Sequence, residues 1–500
     1  MLETLQQMGQ GFIHALTWLN LLAMVGGVTL GIVIGCLPGL SAAMGVALML
    51  PLTFTMPTDT GLIVLGAIYC GAIFGGSISA ILIHTPGTPA SAATAIEGYQ
   101  MTLNGQAGKA LATACWSSFW GGLLSCISLY FFAPALAQLA LKFMSAEKFW
   151  LGISGLTIIA GVSSKSIVKG LMSGALGLLV SCIGLDPIDG TQRFMFGQAF
   201  LAEGINVTCA LIGLFSMSQV FILAEKAIKQ REKAAKFSDK IMLTLAEKKM
   251  LAPTVIRSWI IGNIIGILPG AGASIACFMG YNNAKQFSKH KEDFGHGSIE
   301  GVCGSEAANN AVTGGALIPL LTLGVPGDVV TAIMLGALMI QGMTPGPLLF
   351  QEQGTLVYSI FIALFVSNVF MLLLGYYAVR LFAKVVLIPG GILMPLVTTL
   401  CVVGGYALNN SNFDLAVMAG FGLLGYIMTK ARFPLAPLLL AMILSGIIET
   451  NFRRALSISN QDFSVFFTRP VCAAFLAISI FILFNLLWKE WKKYRAASAA

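Results

Sequence analysis

Charged side chains are scarce in this 500-residue sequence, where Asp, Glu, Lys and Arg together make up 10% of the residues. An ordinary soluble domain carries roughly 25% charged residues. Hydrophobic residues make up 57% of the chain, and its mean hydropathy is +0.85. A soluble fold of this size could not cover its surface with so few charges, so much of that surface must face lipid. The composition predicts an integral membrane protein.

Motifs that would indicate an enzyme or a metal site are also missing. The ten cysteines lie singly in apolar segments without CxxC spacing, which supports neither a zinc site nor a disulfide framework. The sequence has no His-Glu-x-x-His helix, no Gly-rich phosphate loop followed by Lys-Ser/Thr and no Ser/His/Asp arrangement. We therefore predict that the chain is not an enzyme, holds no cofactor and does not use ATP directly.

The apolar residues fall in blocks long enough to cross a bilayer, which takes about 20 helical residues. Hydrocarbon cannot satisfy an open backbone, and no alternating strand pattern is seen, so these blocks are predicted to be helices. We predict an all-α polytopic membrane fold with about 10–13 membrane segments. Clear examples of such blocks are Trp18–Gly35, Gly61–Ile83, Leu111–Phe132, Ile167–Leu185 and Val471–Trp488.

Basic residues are grouped in loops, so the net charge of +8 does not indicate a nucleic-acid partner. The segment Ala224–Met250 and the tail after Trp488 are rich in Lys and Arg, whereas neither residue occurs before Lys109. By the positive-inside rule, both basic segments are cytoplasmic and the N-terminus lies outside. This topology conflicts with the rule at one place, because it puts three arginines on the outer side. One interpretation is that they dock a partner: Arg453, Arg454 and Arg469.

Two landmarks recur in the same order along the chain. Gly31–Gly39 is GIVIGCLPG and Gly262–Gly270 is GNIIGILPG, 231 residues further on. Gly75–Gly87 and Gly314–Gly327 form a second similar pair. Two homologous halves are a hallmark of secondary transporters. We predict two repeats, inverted if each has an odd number of spans, with a parallel arrangement as the alternative. The predicted divisions are residues 1–224, a basic linker 225–256, residues 257–465, and a final helix with a basic tail, 466–500.

Each landmark carries a Pro-Gly pair inside or beside an apolar segment. Proline breaks a helix, glycine lets the chain turn, and broken backbone at membrane depth is tolerated only inside protein or beside a cavity. A helix that begins at such a break presents free N–H groups and a positive dipole end, which suits a carboxylate. Close packing of kinked helices is the alternative explanation. The predicted substrate-binding residues are Pro38, Gly39, Ser41, Pro86, Gly87, Thr88, Pro269, Gly270, Gly272, Ser274, Pro326 and Gly327.

A possible cation site lies in the mostly apolar stretch GVCGSEAANNAVTGG. Glu306 is an intramembrane carboxylate and is predicted to bind a cation or carry a proton, although a place at the membrane interface is equally compatible with the sequence. Asn309 and Asn310 add oxygen ligands of the kind that a hard cation such as Na⁺ prefers. Asp328 follows the last break, where stabilising a helix start is the simpler interpretation. His84 is either a packed residue or part of the cavity.

At these motifs the sequence resembles the large membrane subunit of the tripartite tricarboxylate transporter family (TctA-type). The resemblance extends over nearly the whole chain. Two positions depart from the family pattern: His84 stands where an Asn is expected, and Gly304-Ser305 stands where Ala-Pro is usual. The matching stretches are Gly35–Phe54, Tyr69–Tyr99, Gly266–Phe278 and Ser305–Phe350.

The resemblance implies a permease that imports organic di- or tricarboxylates, citrate among them, with Na⁺ or H⁺ as the coupling ion. It further implies a multi-pass protein of a bacterial inner membrane, a small membrane subunit and a periplasmic solute-binding protein as partners. Two other functions stay open at this stage. A passive channel would not need a symmetric pair of broken helices, and a membrane-embedded enzyme would need clustered catalytic residues at one membrane face.

Overall fold

The structure is a computed structural model, and it describes residues 2–162, 166–186, 188–226, 239–386 and 390–498. Most of the predicted basic linker, residues 227–238, lies outside the described residues. Apart from a two-stranded hairpin, Gly184–Leu185 (β1) with Gln192–Arg193 (β2), regular structure in these ranges is helical. The helices are α1 Leu2–Ala15, α2 Trp18–Cys36, α3 Ala42–Thr53, α4 Thr58–Ile83, α5 Ala92–Leu103, α6 Ala107–Ala140, α7 Ser145–Val162, α8 Ile167–Ser181, α9 Val207–Leu211, α10 Ser218–Lys226, α11 Leu245–Ile267, α12 Gly272–Phe287, α13 Ile299–Leu323, α14 Val329–Ile340, α15 Leu349–Glu352, α16 Gly354–Tyr377, α17 Val379–Val385, α18 Gly390–Asn409, α19 Asn412–Lys430, α20 Ala436–Ile458, α21 Val465–Thr468 and α22 Pro470–Ser498.

Eight helical segments in the described ranges are long and apolar enough to cross a membrane. The all-α polytopic membrane fold is thereby confirmed. Two of the shorter apolar helices, α3 and α14, come directly after Pro-Gly breaks. The eight segments are α2, α4, α6, Val207–Glu225, α11, α16, α19 and α20.

Helices α2 and α3 form a hairpin that enters from one end of the molecule. Helices α2 and α4 begin side by side there, since the Thr60 hydroxyl donates to Asn20 Oδ1 at 2.6 Å. After the break, α3 returns to the same end, where the Thr53 carbonyl oxygen lies beside Gly61 near the start of α4. We call this the Asn20 end.

A second hairpin, α11 with α12, enters from the opposite end. There the Tyr281 hydroxyl of α12 donates to Glu97 of α5 at 2.7 Å, and α13 begins nearby at Ile299. Helix α14 ends at the Asn20 end, because Gln341 and Thr53 both lie beside Gly61. We call the opposite end the Glu97 end. Opposite entry of the two hairpins is the arrangement that inverted repeats require, and the homology of the halves stays a prediction.

Small residues let the central helices of the two halves pack backbone to backbone. Gly121 of α6 lies against the carbonyl oxygen of Ala307 in α13, and Gly314 of α13 lies against that of Ser125 in α6. A Cβ atom at either glycine would overlap the facing backbone. Such approaches are typical of membrane helices, where small residues form the interfaces. Helix α13 is thereby held against α6 along most of its length.

Candidate functional site

The first Pro-Gly break forms the tip of the α2–α3 hairpin. Gly39 has a φ of +90°, in the region where only glycine is unstrained. Ser41 caps α3, since its side chain accepts a hydrogen bond from the Met44 N–H at 3.2 Å. Pro38, Gly39 and Ser41 are half-buried. The tip packs on α10, where Gln219 is the nearest polar side chain.

The second break folds back onto the first. After α4 ends, the Gly87 N–H donates to the carbonyl oxygen of Gly76 at 3.3 Å. Gly87 also lies so close to the Gly35 carbonyl oxygen that a Cβ atom would overlap it. Thr88 is buried, and its hydroxyl pairs with that of Ser91 at 3.2 Å. The two predicted loops of the first half therefore form one cluster.

The same contacts recur in the second half. Gly327 approaches the carbonyl oxygen of Gly266 as Gly87 approaches that of Gly35, and the Gly270 N–H donates to the Gly327 carbonyl oxygen at 2.7 Å. Gly270 and Gly272 have φ angles of +79° and +63°. Pro326 and Gly327 are buried, whereas Ser274 is exposed. The breaks thus pair within each half.

Buried hydrogen bonds join the two halves. The Tyr69 hydroxyl of α4 donates to Asp328 Oδ2 at the last break, at 2.5 Å. In the reverse direction, Asn309 Nδ2 of α13 donates at 2.9 Å to the carbonyl oxygen of Ala90, just after the second break. Each break region is therefore held by the middle of the long helix of the other half.

Glu306 is the centre of a polar cluster between α13, α5 and α6. Its Oε1 accepts from the Thr94 hydroxyl at 2.5 Å, and its Oε2 accepts from the Ser118 hydroxyl at 2.9 Å. Asn310 Nδ2 also donates to the Ser118 oxygen, at 2.8 Å. The Oδ1 atom of Asn310 is buried and has no hydrogen-bond partner. The Glu306 side chain is fully buried within the protein.

Neither central carboxylate has a basic partner. Ion pairs in the described part of the chain involve neither Glu306 nor Asp328. Removing an ionised carboxylate from water is costly unless a counter-charge accompanies it. The Asp328 carboxylate is stabilised by the start of α14, which it caps by accepting from the Thr331 N–H at 2.8 Å. Glu306 lies within a helix and gains nothing from a helix start.

The four helix starts at the breaks differ in their caps. Ser41 caps α3 and Asp328 caps α14, and these two helices pack against each other. The starts of α5 and α12 have no side-chain cap. Helix α12 packs against α5 and the preceding turn Pro89–Ser91. Of the four starts, these two are the ones at which no capping side chain competes with another acceptor.

Sequence reasoning missed three residues of this region. Tyr69 and Ser118 lie in long apolar helices, where a single Tyr or Ser residue does not indicate a functional site. Glu97 follows the second break by ten residues and is fully buried. The rule that flagged Glu306, an acid in an apolar stretch, would have found it as well. His84 is exposed, takes a φ of +58° and stacks on Tyr99 with ring centroids 4.6 Å apart.

A separate charged cluster lies at the Asn20 end. Arg193 and Arg453 both bind the buried carboxylate of Asp186, and Arg469 Nε lies 2.6 Å from Glu147 Oε1. Two of the three arginines interpreted as a docking surface are therefore engaged within the chain. Hydrogen bonds from Thr191, followed by the charge of Arg453, lower the pKa of exposed Asp189 below its ordinary value. A cavity of about 460 Å³ opens beside this cluster.

Long apolar helices and two broken hairpins that enter from opposite ends define a multi-pass membrane protein of transporter architecture. Residues 21–440 match the family described as the tripartite tricarboxylate transporter TctA family. The chain belongs to this family, and it is a subunit of such a transporter.

Two proteins of Agrobacterium vitis are similar over long stretches. One is described as an uncharacterized 52.8 kDa protein in the TAR-I ttuC' 3'region; it is 39% identical over 480 residues, covering 96% of this chain and 95% of that protein. Another, from the TAR-II ttuC' 3'region, is 38% identical over 219 residues, covering 44% of this chain and 90% of that protein. No solved structure gives a significant match.

Proposed function

We propose that the chain is the permease of a binding-protein-dependent secondary transporter that imports organic di- or tricarboxylates together with a cation, Na⁺ in the first instance. One observation carries the proposal: the buried Glu306, which Thr94 contacts in the first turn of α5, takes part in none of the ion pairs of the described residues. An anion that binds beside such a carboxylate needs a cation between the two charges. Coupling of anion and cation follows from this electrostatic requirement.

The substrate carboxylate is proposed to bind where α5 and α12 begin. Their uncapped N–H groups and positive dipole ends suit an anion. Thr88 and Ser91 supply hydroxyl groups at the same place. The start of α14 is a poorer anion site, because the Asp328 carboxylate already occupies it. Of the predicted substrate residues, those of the second and third breaks are therefore the primary ones.

The cation is proposed to bind at Glu306 with Asn309 and Asn310. Carboxylate, amide and hydroxyl oxygens are hard ligands, and the unpartnered Asn310 Oδ1 adds one more. Thr94 of α5 contacts the same carboxylate three residues into the helix whose start is assigned to the substrate. A cation here would lie between Glu306 and the incoming anion. A proton on Glu306 is the other coupling ion that this chemistry allows.

The Glu97 end is proposed to face the cytoplasm of a bacterial inner membrane. Asp239 and Lys240, the described end of the basic linker, lie there, since Asp239 accepts from the Gly108 N–H at the start of α6. The proposed partners are a small membrane subunit and a periplasmic solute-binding protein. The family description, which names a tripartite transporter, supports this composition. The binding protein would dock at the Asn20 end.

Uptake into liposomes tests the proposal. The chain would be reconstituted with its two partner subunits and offered labelled citrate, tartrate and succinate under an inward NaCl or choline chloride gradient. We expect uptake of at least one acid that requires the binding protein and the sodium or proton gradient. Flux that depends on neither the binding protein nor the gradient would indicate a channel. If an intact complex takes up none of the carboxylates, the proposal is overturned.

A further inference from the structure

Glu97 is a buried carboxylate that joins the two halves at the Glu97 end. It lies on α5 in the first half, and all its recorded donors come from the turn between α12 and α13 or from α12 itself. The Tyr281 hydroxyl donates to Oε1 at 2.7 Å and the Gly295 N–H donates at 2.6 Å. The N–H groups of Gly297 and Ser298 donate to Oε2 at 2.9 and 2.8 Å. Four donors fix this carboxylate.

Thr94 precedes Glu97 by three residues on α5, so the two side chains lie on the same face of the helix. The Thr94 hydroxyl donates to Glu306 Oε1 at 2.5 Å and pairs with the Ser305 hydroxyl at 2.9 Å. Because Thr94 and Glu97 share one helical turn, the anchor at Glu97 fixes the position of Thr94 against Glu306. A shift of α5 would lengthen the Thr94–Glu306 contact first.

We propose that Glu97 is a positioning residue for the cation site: it holds α5 against the α12–α13 turn and so keeps Thr94 in contact with Glu306. This inference rests on the proposed cation site at Glu306. Gln at position 97 keeps the shape of the side chain, but its amide group cannot accept from all four donors. We expect Glu97→Gln to release α5 and to weaken cation binding without removing a group that touches the cation.

The test uses the purified full-length chain in lipid nanodiscs and needs no substrate. Thermal unfolding is followed while NaCl replaces choline chloride at constant ionic strength, and the NaCl concentration at half of the full melting shift is measured. A parallel series of melting temperatures from pH 5 to pH 8 tests whether a proton is the bound cation. We expect Glu97→Gln to raise the half-saturating concentration about tenfold, which corresponds to about 1.4 kcal/mol. Tyr281→Phe, which removes one donor to Glu97, should shift it less, in the same direction.

The matched control is Glu300→Gln. Glu300 lies in the first turn of α13 and accepts from the Ser288 hydroxyl, but it has no recorded bond to α5. The only effect expected of this variant is a lower melting temperature. Its half-saturating NaCl concentration should equal that of the wild type. A purely structural role for Glu97 would give the same pattern in Glu97→Gln.

A double-mutant cycle tests the route through Thr94. Thr94→Val alone should raise the half-saturating concentration, and Glu97→Gln added to Thr94→Val should raise it no further, because the contact that Glu97 positions is already gone. An unchanged midpoint in Glu97→Gln, or an equal further shift in the double variant, overturns the inference while the cation site stands. A wild-type chain that responds to neither sodium nor protons overturns the proposed cation site and the inference together.

Discussion

Replacing Glu306 by Gln should make the protein more stable without sodium and insensitive to sodium. The carboxylate is fully buried, accepts from Thr94 and Ser118, and takes part in none of the recorded ion pairs. Gln has nearly the same shape: the hydroxyl that faces its amide nitrogen can turn to accept, and the other hydroxyl still donates to its amide oxygen. The substitution therefore removes an uncompensated charge while it keeps the packing of the site.

The direction of the first effect and the size of the second can be worked out. Burying a charge without a counter-charge is costly, so its replacement by a neutral amide of the same shape should stabilise the chain without sodium. If sodium binds at the proposed site, a concentration of 100 times its Kd would stabilise the wild type by about 2.7 kcal/mol. An unfolding entropy of about 2.1 cal/mol/K per residue makes 1 kcal/mol equivalent to about 1 °C for a chain of 500 residues. Wild type should thus gain about 3 °C from sodium, and Glu306→Gln should gain none.

The assay is thermal unfolding of the purified chain in NaCl against choline chloride. Asp414→Asn serves as the matched control, since Asp414 is also a buried carboxylate but lies at the start of α19 and bonds to Asn409 there. That variant should keep the full sodium response. A Glu306→Gln protein that still gains about 3 °C, or that melts well below wild type in choline chloride, would refute the reasoning about an uncompensated charge.

Two further changes test the packing of the halves. Gly87→Ala should abolish uptake and lower the melting temperature, because a Cβ atom there overlaps the Gly35 carbonyl oxygen; Gly336→Ala, which meets nothing within 4 Å, should do neither. A disulfide between Asn104→Cys and His296→Cys, whose parent side chain and carbonyl oxygen are 3.2 Å apart, should form on oxidation and leave uptake intact. Normal uptake in Gly87→Ala, or uptake blocked by the disulfide and restored by reduction, would contradict the arrangement.

Much of the fold followed from the sequence because lipid imposes simple rules. Apolar blocks of membrane length predicted α2, α4, α6, α8 and α22 closely, since a buried backbone has few options besides a helix. The Pro-Gly landmarks marked all four breaks for the same reason, because proline and glycine alter the backbone wherever they occur.

The pairing of those breaks could not be predicted. The sequence marked the four breaks but not their partners, and in the structure Gly35 lies against Gly87 and Gly266 against Gly327. Close approach between glycines depends on the angle between helices, which no local pattern encodes.

The hydrogen-bond partners of the buried carboxylates could not be predicted from the sequence either. Glu97 bonds to a turn about 200 residues further along the chain, and nothing near either segment indicates the other. Asp328 was interpreted as a helix cap, which is confirmed, but its bond to Tyr69 depends on how the halves dock. A helix cap can be predicted from neighbouring residues in the sequence, whereas contacts between the two halves are seen only in the structure.

Three of the buried carboxylates join the two halves and limit how the molecule can move. Glu97 of the first half is held by the second, while Glu306 and Asp328 of the second half are held by the first. A hydrogen bond to a charged group contributes about 1.5–3 kcal/mol, and separating the halves would break such bonds at all three carboxylates at once. Alternating access by rocking one half against the other is therefore disfavoured. The two hairpins should travel together against the surrounding helices, which is why a disulfide at the Glu97 end should leave transport intact.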